Sequence, residues 1–163
     1  MNRVPLIDRN ATTTDRKALL DSIHVAFGTT PNMFRAVANS PAALKSMWSA
    51  FGALGGGVIA SKLGEQIAVA VADRNACEYC LAAHTALGRK AGASAEEMQH
   101  AQAGESTDAK TQAALRFALK VVNDRGQVGD TDVQALRAVG FGDEEIVEIL
   151  AHVALNLFTN YVN

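Results

Sequence analysis

The stretch ACEYCLAAH, residues 76–84, holds the only two cysteines of the chain, Cys77 and Cys80, with His84 four positions past the second. Two thiols separated by two residues, with an imidazole one turn on, fit three readings: a redox dithiol, part of a zinc ligand set, or small buried side chains with no chemistry. At about 100° per residue the three groups fall within an arc of about 60° on one helix face, while Glu78 and Tyr79 point elsewhere. Asn75 with Glu78 three residues later reads as a capping box, which starts the helix at Ala76 and puts both cysteines in its first two turns. Unpaired backbone N–H groups and the helix dipole there favour thiolate over thiol.

Positioning these groups takes a second helix. Ser61 reads as the cap of a helix running to about Arg74, and a tight turn near residue 75 makes the two helices an antiparallel pair. Glu65 lies ten residues before Asn75 and His84 nine after it, so the carboxylate and the imidazole face each other across the pair. Cys80, His84 and Glu65 then form a nucleophile, a base and a group orienting the base. A zinc site built from Cys77, Cys80, His84 and Glu65 is the rival reading, but structural zinc usually staples small or loop-rich pieces, and this chain has helices enough to pack.

The remaining elements are also helical. Ala-rich apolar segments at helical spacing alternate with short turn signals, and period-2 runs of β-branched residues are absent, which predicts an all-α fold. An extended arm over 1–14 precedes a helix over 15–27, and Pro31 and Pro41 open two short helices. Gly55, Gly56 and Gly57 break the pattern, and with no Lys-Ser or Lys-Thr after them they are a loop, not a phosphate cradle. The cysteine helix stops at Gly92, Ser94 opens a shorter one ending near Gly104, and three more cover about 108–124, 130–139 and 143–162. Met47, Trp48, Phe51 and Leu54 at helical spacing read as core or as a subunit interface. His24 and His100 read as surface residues. His152, Asn156 and Asn160 form a drifting polar stripe on an otherwise apolar last helix, which reads as a structural network or a subunit contact ahead of a pocket lining.

Bulk properties narrow the function. The 163 residues, 48% hydrophobic, suit one compact domain with a real core. Lys and Arg total 15 against 17 Asp and Glu, a formal net charge of -2, with no basic stripe to neutralise a phosphate backbone, so nucleic acid is not expected as a partner. The N-terminus lacks the apolar core of a secretory signal, and no stretch approaches the roughly 18 apolar residues of a membrane span. The chain is therefore expected to be cytoplasmic, where a CxxC pair is catalytic, redox-active or metal-binding before it is a permanent staple.

EQIAVAVADRNACEYCLAAHTALGRKAG, Glu65 to Gly92, resembles the core motif of the alkyl hydroperoxidase D (AhpD) family: Glu, eleven residues, Cys, two residues, Cys, three residues, His. The match is complete at Glu65, Cys77, Cys80 and His84. It covers about a fifth of the chain closely, and PNMFRAVANSP and HVALNLFTNYVN are similar to peroxidase-related members of the same group. The wider superfamily includes the carboxymuconolactone decarboxylases, which resemble it in fold but lack the cysteine pair. The resemblance implies an AhpD-like helical bundle over 1–163 with its core motif at 65–84, acting as a thiol-dependent peroxidase with no bound cofactor and no metal. It makes Cys80 the peroxidatic thiolate, Cys77 the thiol that donates a proton and then closes a disulfide, and His84 with Glu65 the proton relay. A hydroperoxide is the implied substrate, a dithiol or lipoylated protein the reductant, and a trimer or hexamer the assembly. Tyr79 departs from the founding enzymes, which carry a histidine inside the CxxC. Helical geometry leaves the two cysteines ambiguous, but His84 is one turn from Cys80 and nearly two from Cys77, which favours Cys80 as nucleophile and leaves Cys77 as the exposed resolving thiol. Two alternatives stand beside this reading: a lactone decarboxylase or isomerase on the same fold, and a non-enzymatic module whose cysteines bind metal or pack.

Overall fold

The computed structural model describes residues 3–163, and the described residues form nine α-helices and no strand, the all-α fold the periodicity predicts. Of the arm expected over 1–14, residues 1 and 2 lie outside the described residues. The rest runs without helix up to Thr13, but it is not extended throughout: Asn10 N–H donates to Asp8 Oδ1 at 2.9 Å and folds the chain into a turn.

The chain divides into two compact units, one reaching Ala53 and including Val162, the other spanning Leu54–Tyr161 with Asn163. In the first, α1 (Thr14–Phe27) ends on Gly28 at φ +71°, α2 (Asn32–Val37) follows Pro31, and α3 (Pro41–Gly55) begins on Pro41. Proline suits these starts because its missing N–H has no partner in a first turn. Leu20, Ile23, Phe34, Leu44 and Met47 are fully buried, and Phe34 meets Trp48 edge to face at 5.9 Å between ring centroids. Met47 is thus core within this unit.

The second unit is built on α4 (Ser61–Arg74), whose run Gln66 to Ala72 is buried at every position. A helix without a solvent face needs neighbours all round, and α5 (Glu78–Lys90), α6 (Ala95–Gln102) and α7 (Ala109–Asn123) pack against it or each other, followed by α8 (Asp130–Ala138) and α9 (Asp143–Val162). Ile67, Val69, Val71, Met98, Leu115, Leu136, Ile149 and Val153 form one continuous core. Ser94 caps α6 as expected, through a full capping box with Glu97, and Asp108 caps α7 by accepting from Thr111 N–H at 2.7 Å. Ser61, by contrast, is the first helical residue of α4 and not its cap. The N-cap is Ala60, which has no side-chain cap bond. A long-range group serves this end instead: Glu148 accepts the N–H of Val58 at 2.9 Å and of Ile59 at 2.8 Å. Those two bonds hold the carboxyl of Glu148 below the usual carboxylate range. A side chain on Gly57 would collide with the Glu148 carboxylate, so one glycine of the triplet is needed for close approach.

Candidate active site

The junction between α4 and α5 decides where the thiols stand. Asn75 is the C-cap of α4, Ala76 adopts φ +53°, and Cys77 is the N-cap of α5. Cys77 N–H reaches back to Ala72 C=O at 3.0 Å and Ala76 N–H to Asp73 C=O at 2.9 Å, the paired bonds of a Schellman motif. Its usual apolar contact is present too, with Cys77 packed beside buried Ala72. The motif corrects the sequence reading. The capping box of Asn75 and Glu78 does not form, and the helix starts at Glu78, two residues later than expected. An alanine in the left-handed conformation, where glycine is the usual signal, hid the boundary. Cys80 still lies in the first turn, at N3, where backbone N–H groups are unpaired, and Cys77 stands just outside it.

Cys77 and Cys80 are joined as a disulfide, with their Cα atoms 5.3 Å apart, inside the span a disulfide requires. Their exposures are 9% and 3%, so Cys77 is the more accessible of the two without being the exposed thiol expected from its place near the helix end. The chain around it, Ala72, Cys80 and Leu81, covers it. Tyr79, between them in sequence, turns outward and is 59% exposed.

Glu65 and His84 meet as their equal distances from the turn predict: Glu65 Oε2 lies 2.7 Å from His84 Nδ1, with the two side chains 24% and 17% exposed. The carboxylate fixes the tautomer, since an Nδ1 that donates to Glu65 leaves Nε2 as the nitrogen able to accept a proton. Gly88, one turn past His84, lets the Met98 thioether pack against α5, since a Cβ there would collide with it. Among the described residues no group of three or more His, Cys, Asp or Glu side chains is arranged as a metal ligand set.

The polar stripe of α9 resolves into hydrogen bonds that no local pattern announced. Asn160 Oδ1 accepts from Asn75 Nδ2 at 2.9 Å and ties the last turn of α9 to the junction that carries Cys77, while the Nδ2 of Asn160 is buried without a partner. Asn156 Nδ2 donates to His152 C=O at 2.9 Å. Asn163, which the sequence reading passed over, donates its side-chain N–H to Cys80 Sγ at 3.3 Å. His152 Nε2 is buried with no hydrogen bond, 3.9 Å from Glu148 Oε1, and Gly64 leaves room for its ring against α4. Burial pushes the imidazole of His152 toward the neutral form, against the pull of the Glu148 and Glu65 carboxylates.

Comparison with known proteins matches the chain to one family and to several structures of the same fold. The model of the carboxymuconolactone decarboxylase family matches residues 41–124, just over half of the chain. A peroxidase-related protein of Ralstonia eutropha JMP134, with an alkylhydroperoxidase AhpD core, superposes at TM-score 0.84 and 28% identity over 98% of this chain and 86% of its own. A peroxidase-related protein of Silicibacter sp. TM1040 gives TM-score 0.81 and 24% identity over 98% and 85%. The apo structure of the debrominase Bmp8, at 18% identity and TM-score 0.81 over 100% and 89%, shares the fold. No curated protein matches the chain.

Proposed function

The chain belongs to the carboxymuconolactone decarboxylase family, and within it we propose that this protein is a thiol-dependent peroxidase cycling between a Cys77, Cys80 dithiol and their disulfide. One observation carries the reading: the disulfide stands at the start of the helix that carries His84, one turn past Cys80, and Glu65 holds the Nδ1 of that histidine. A catalytic base with a fixed tautomer beside a redox-capable thiol pair is the arrangement a peroxidatic cysteine requires. Similarity to peroxidase-related structures supports it.

In the reduced protein, His84 Nε2 takes the proton of the Cys80 thiol and Glu65 stabilises the imidazolium that forms. The thiolate attacks one peroxide oxygen; the S–O bond forms as the O–O bond breaks, and the departing alkoxide takes the proton and leaves as alcohol. Cys80 is then a sulfenic acid. Cys77, as thiolate, attacks the Cys80 sulfur, the S–O bond breaks, and hydroxide leaves with a proton as water, giving the disulfide. An external dithiol, free or on a lipoylated protein, returns both cysteines to thiols by exchange and is itself oxidised. In this reading the exposed Tyr79, between the two cysteines in sequence, is a side chain such a reductant would meet.

A homo-oligomer, trimer or hexamer, belongs to the same reading. Val147, Phe158 and Tyr161 are exposed on α9, and apolar surface of this kind is a docking face. Light scattering that finds a monomer at micromolar concentration removes this part. No helix among the described residues is long and apolar enough to cross a membrane.

Steady-state consumption of an alkyl hydroperoxide with a dithiol reductant, before and after alkylation of the reduced protein, tests the activity. Turnover abolished by alkylation supports the peroxidase. Absence of turnover, with a lactone processed equally well by the alkylated protein, selects the decarboxylase or isomerase alternative. Absence of both, with stoichiometric zinc in the purified protein, selects the metal-binding module.

A further inference from the structure

We propose that Asn163 is the hydrogen-bond donor that stabilises the thiolate of Cys80, so that the residue capping the C-terminus of α9 helps set the reactivity of a sulfur in the first turn of α5. The inference deepens the peroxidase reading and rests on it for the role of Cys80. Its geometry is specific. Asn163 Nδ2 donates one hydrogen to Cys80 Sγ at 3.3 Å and the other to Thr159 C=O at 3.0 Å. A carbonyl oxygen only accepts, so the Thr159 bond fixes which end of the amide is the NH2 and turns that end to the sulfur. Cys80 is almost wholly buried, so its sulfur has little water to rely on when it ionises, and a donor from the protein must take that place.

The interaction differs between the states of the cycle. A disulfide sulfur is a weak acceptor and gains little from the amide. A thiolate in the same position carries a full charge, and a donor to a charged partner is worth about twice a neutral one. The same N–H therefore lowers the proton affinity of Cys80 in the reduced protein, acting with the unpaired N–H groups of the first turn of α5. The end of α9 is also anchored beside the thiols by Asn160, which accepts from Asn75 at the junction. The other ionisable groups on these elements are Glu78, Tyr79, His84, Arg89 and Lys90 on α5, Lys62, Glu65, Asp73 and Arg74 on α4, and Asp143, Glu144, Glu145, Glu148, His152 and Tyr161 on α9, and all stay unchanged in the variants below.

The test isolates Cys80 in a Cys77→Ser background and follows its alkylation by iodoacetamide against pH, with and without Asn163→Leu or Asn163→Asp. Loss of the donor in Asn163→Leu is expected to raise the apparent thiol pKa by about one unit, a tenfold smaller thiolate fraction below the pKa, with the high-pH plateau rate retained. Asn163→Asp, which puts a carboxylate beside the sulfur, is expected to raise it further. A merely structural role for Asn163 would change the plateau or the melting temperature and leave the pKa in place. Identical titration midpoints in all three proteins would overturn the proposal. Because alkylation reads the thiolate and not the peroxide reaction, shifted midpoints support the role of Asn163 even if hydroperoxide proves to be no substrate. Slower peroxide consumption with an unshifted alkylation profile counts against it.

Discussion

Replacing Glu65 by glutamine probes the relay with the least disturbance to packing. The amide keeps the shape of the carboxylate and can still accept from His84 Nδ1, so what disappears is the charge that stabilises the imidazolium. The bond it replaces is 2.7 Å long and joins side chains 24% and 17% exposed, a partly screened pair. A charge-assisted bond of this kind contributes about 1.5–3 kcal/mol, which is about 10- to 100-fold in rate if it is expressed fully as the proton moves. His84→Gln removes the base itself and should cost about 10²-fold or more. The assay mixes the reduced protein with excess alkyl hydroperoxide at neutral pH, quenches with an alkylating reagent at set times and counts surviving Cys80 thiol by mass. Both deficits should shrink toward alkaline pH, above the ordinary thiol pKa of about 8.5, where the thiol ionises without help. Unchanged rates at neutral pH in both variants would refute the relay, and a deficit constant across pH would show that the substitutions act through something other than proton removal.

Other consequences follow from the same geometry. Cys77→Ser should react once with hydroperoxide, trap a sulfenic acid on Cys80 and fail to turn over, whereas Cys80→Ser should not react at a catalytic rate; labelling by a sulfenic-acid probe at Cys77 alone would reverse the roles. Ala76→Gly should stabilise the protein by about 0.5–1 kcal/mol, because φ +53° costs alanine what glycine does not pay, and a lower melting temperature in the variant would contradict the strain argument. Glu148→Gln leaves at least one of the Val58 and Ile59 N–H groups poorly paired and should cost about 1–3 kcal/mol in urea unfolding at neutral pH. Since the Glu148 carboxyl is held below the ordinary glutamate value of about 4.5, its stabilisation is present above that pH and lost as pH falls through the lower folded value. The gap between wild type and Glu148→Gln should therefore close in acid, and a gap of constant size would assign the loss to shape instead of charge.

The sequence carried some of this structure in local signals and withheld the rest for identifiable reasons. Ser94 before α6 and the prolines opening α2 and α3 are local signals, where the chemistry of one residue alone places a boundary. Glu65 opposite His84 was readable because an antiparallel pair with a short turn converts equal sequence distance into spatial contact. The start of α5 was misread at Asn75 because Asn-x-x-Glu imitates a capping box, while the Schellman motif that ends α4 places its left-handed residue on an alanine. Asn75, for its part, spends its amide on Asn160, 85 residues away, and Asn163 reaches Cys80 across 83. Such bonds depend on where α9 comes to rest, which core packing decides and no local motif encodes. Glu148 at the head of α4 belongs to the same class. The burial of Cys77 was missed because proximity to a helix end says nothing about what the preceding helix lays over it.

The measurement that bears most directly on the central claim is the fate of the two thiols on meeting peroxide. The protein is reduced, freed of reductant, treated with one equivalent of an alkyl hydroperoxide and analysed by intact mass and peptide mapping. The account predicts loss of two hydrogens from the chain, a single linked peptide joining Cys77 to Cys80, and one equivalent of alcohol released. Thiols that survive the treatment, or cysteines oxidised separately with no bond between them, would contradict it.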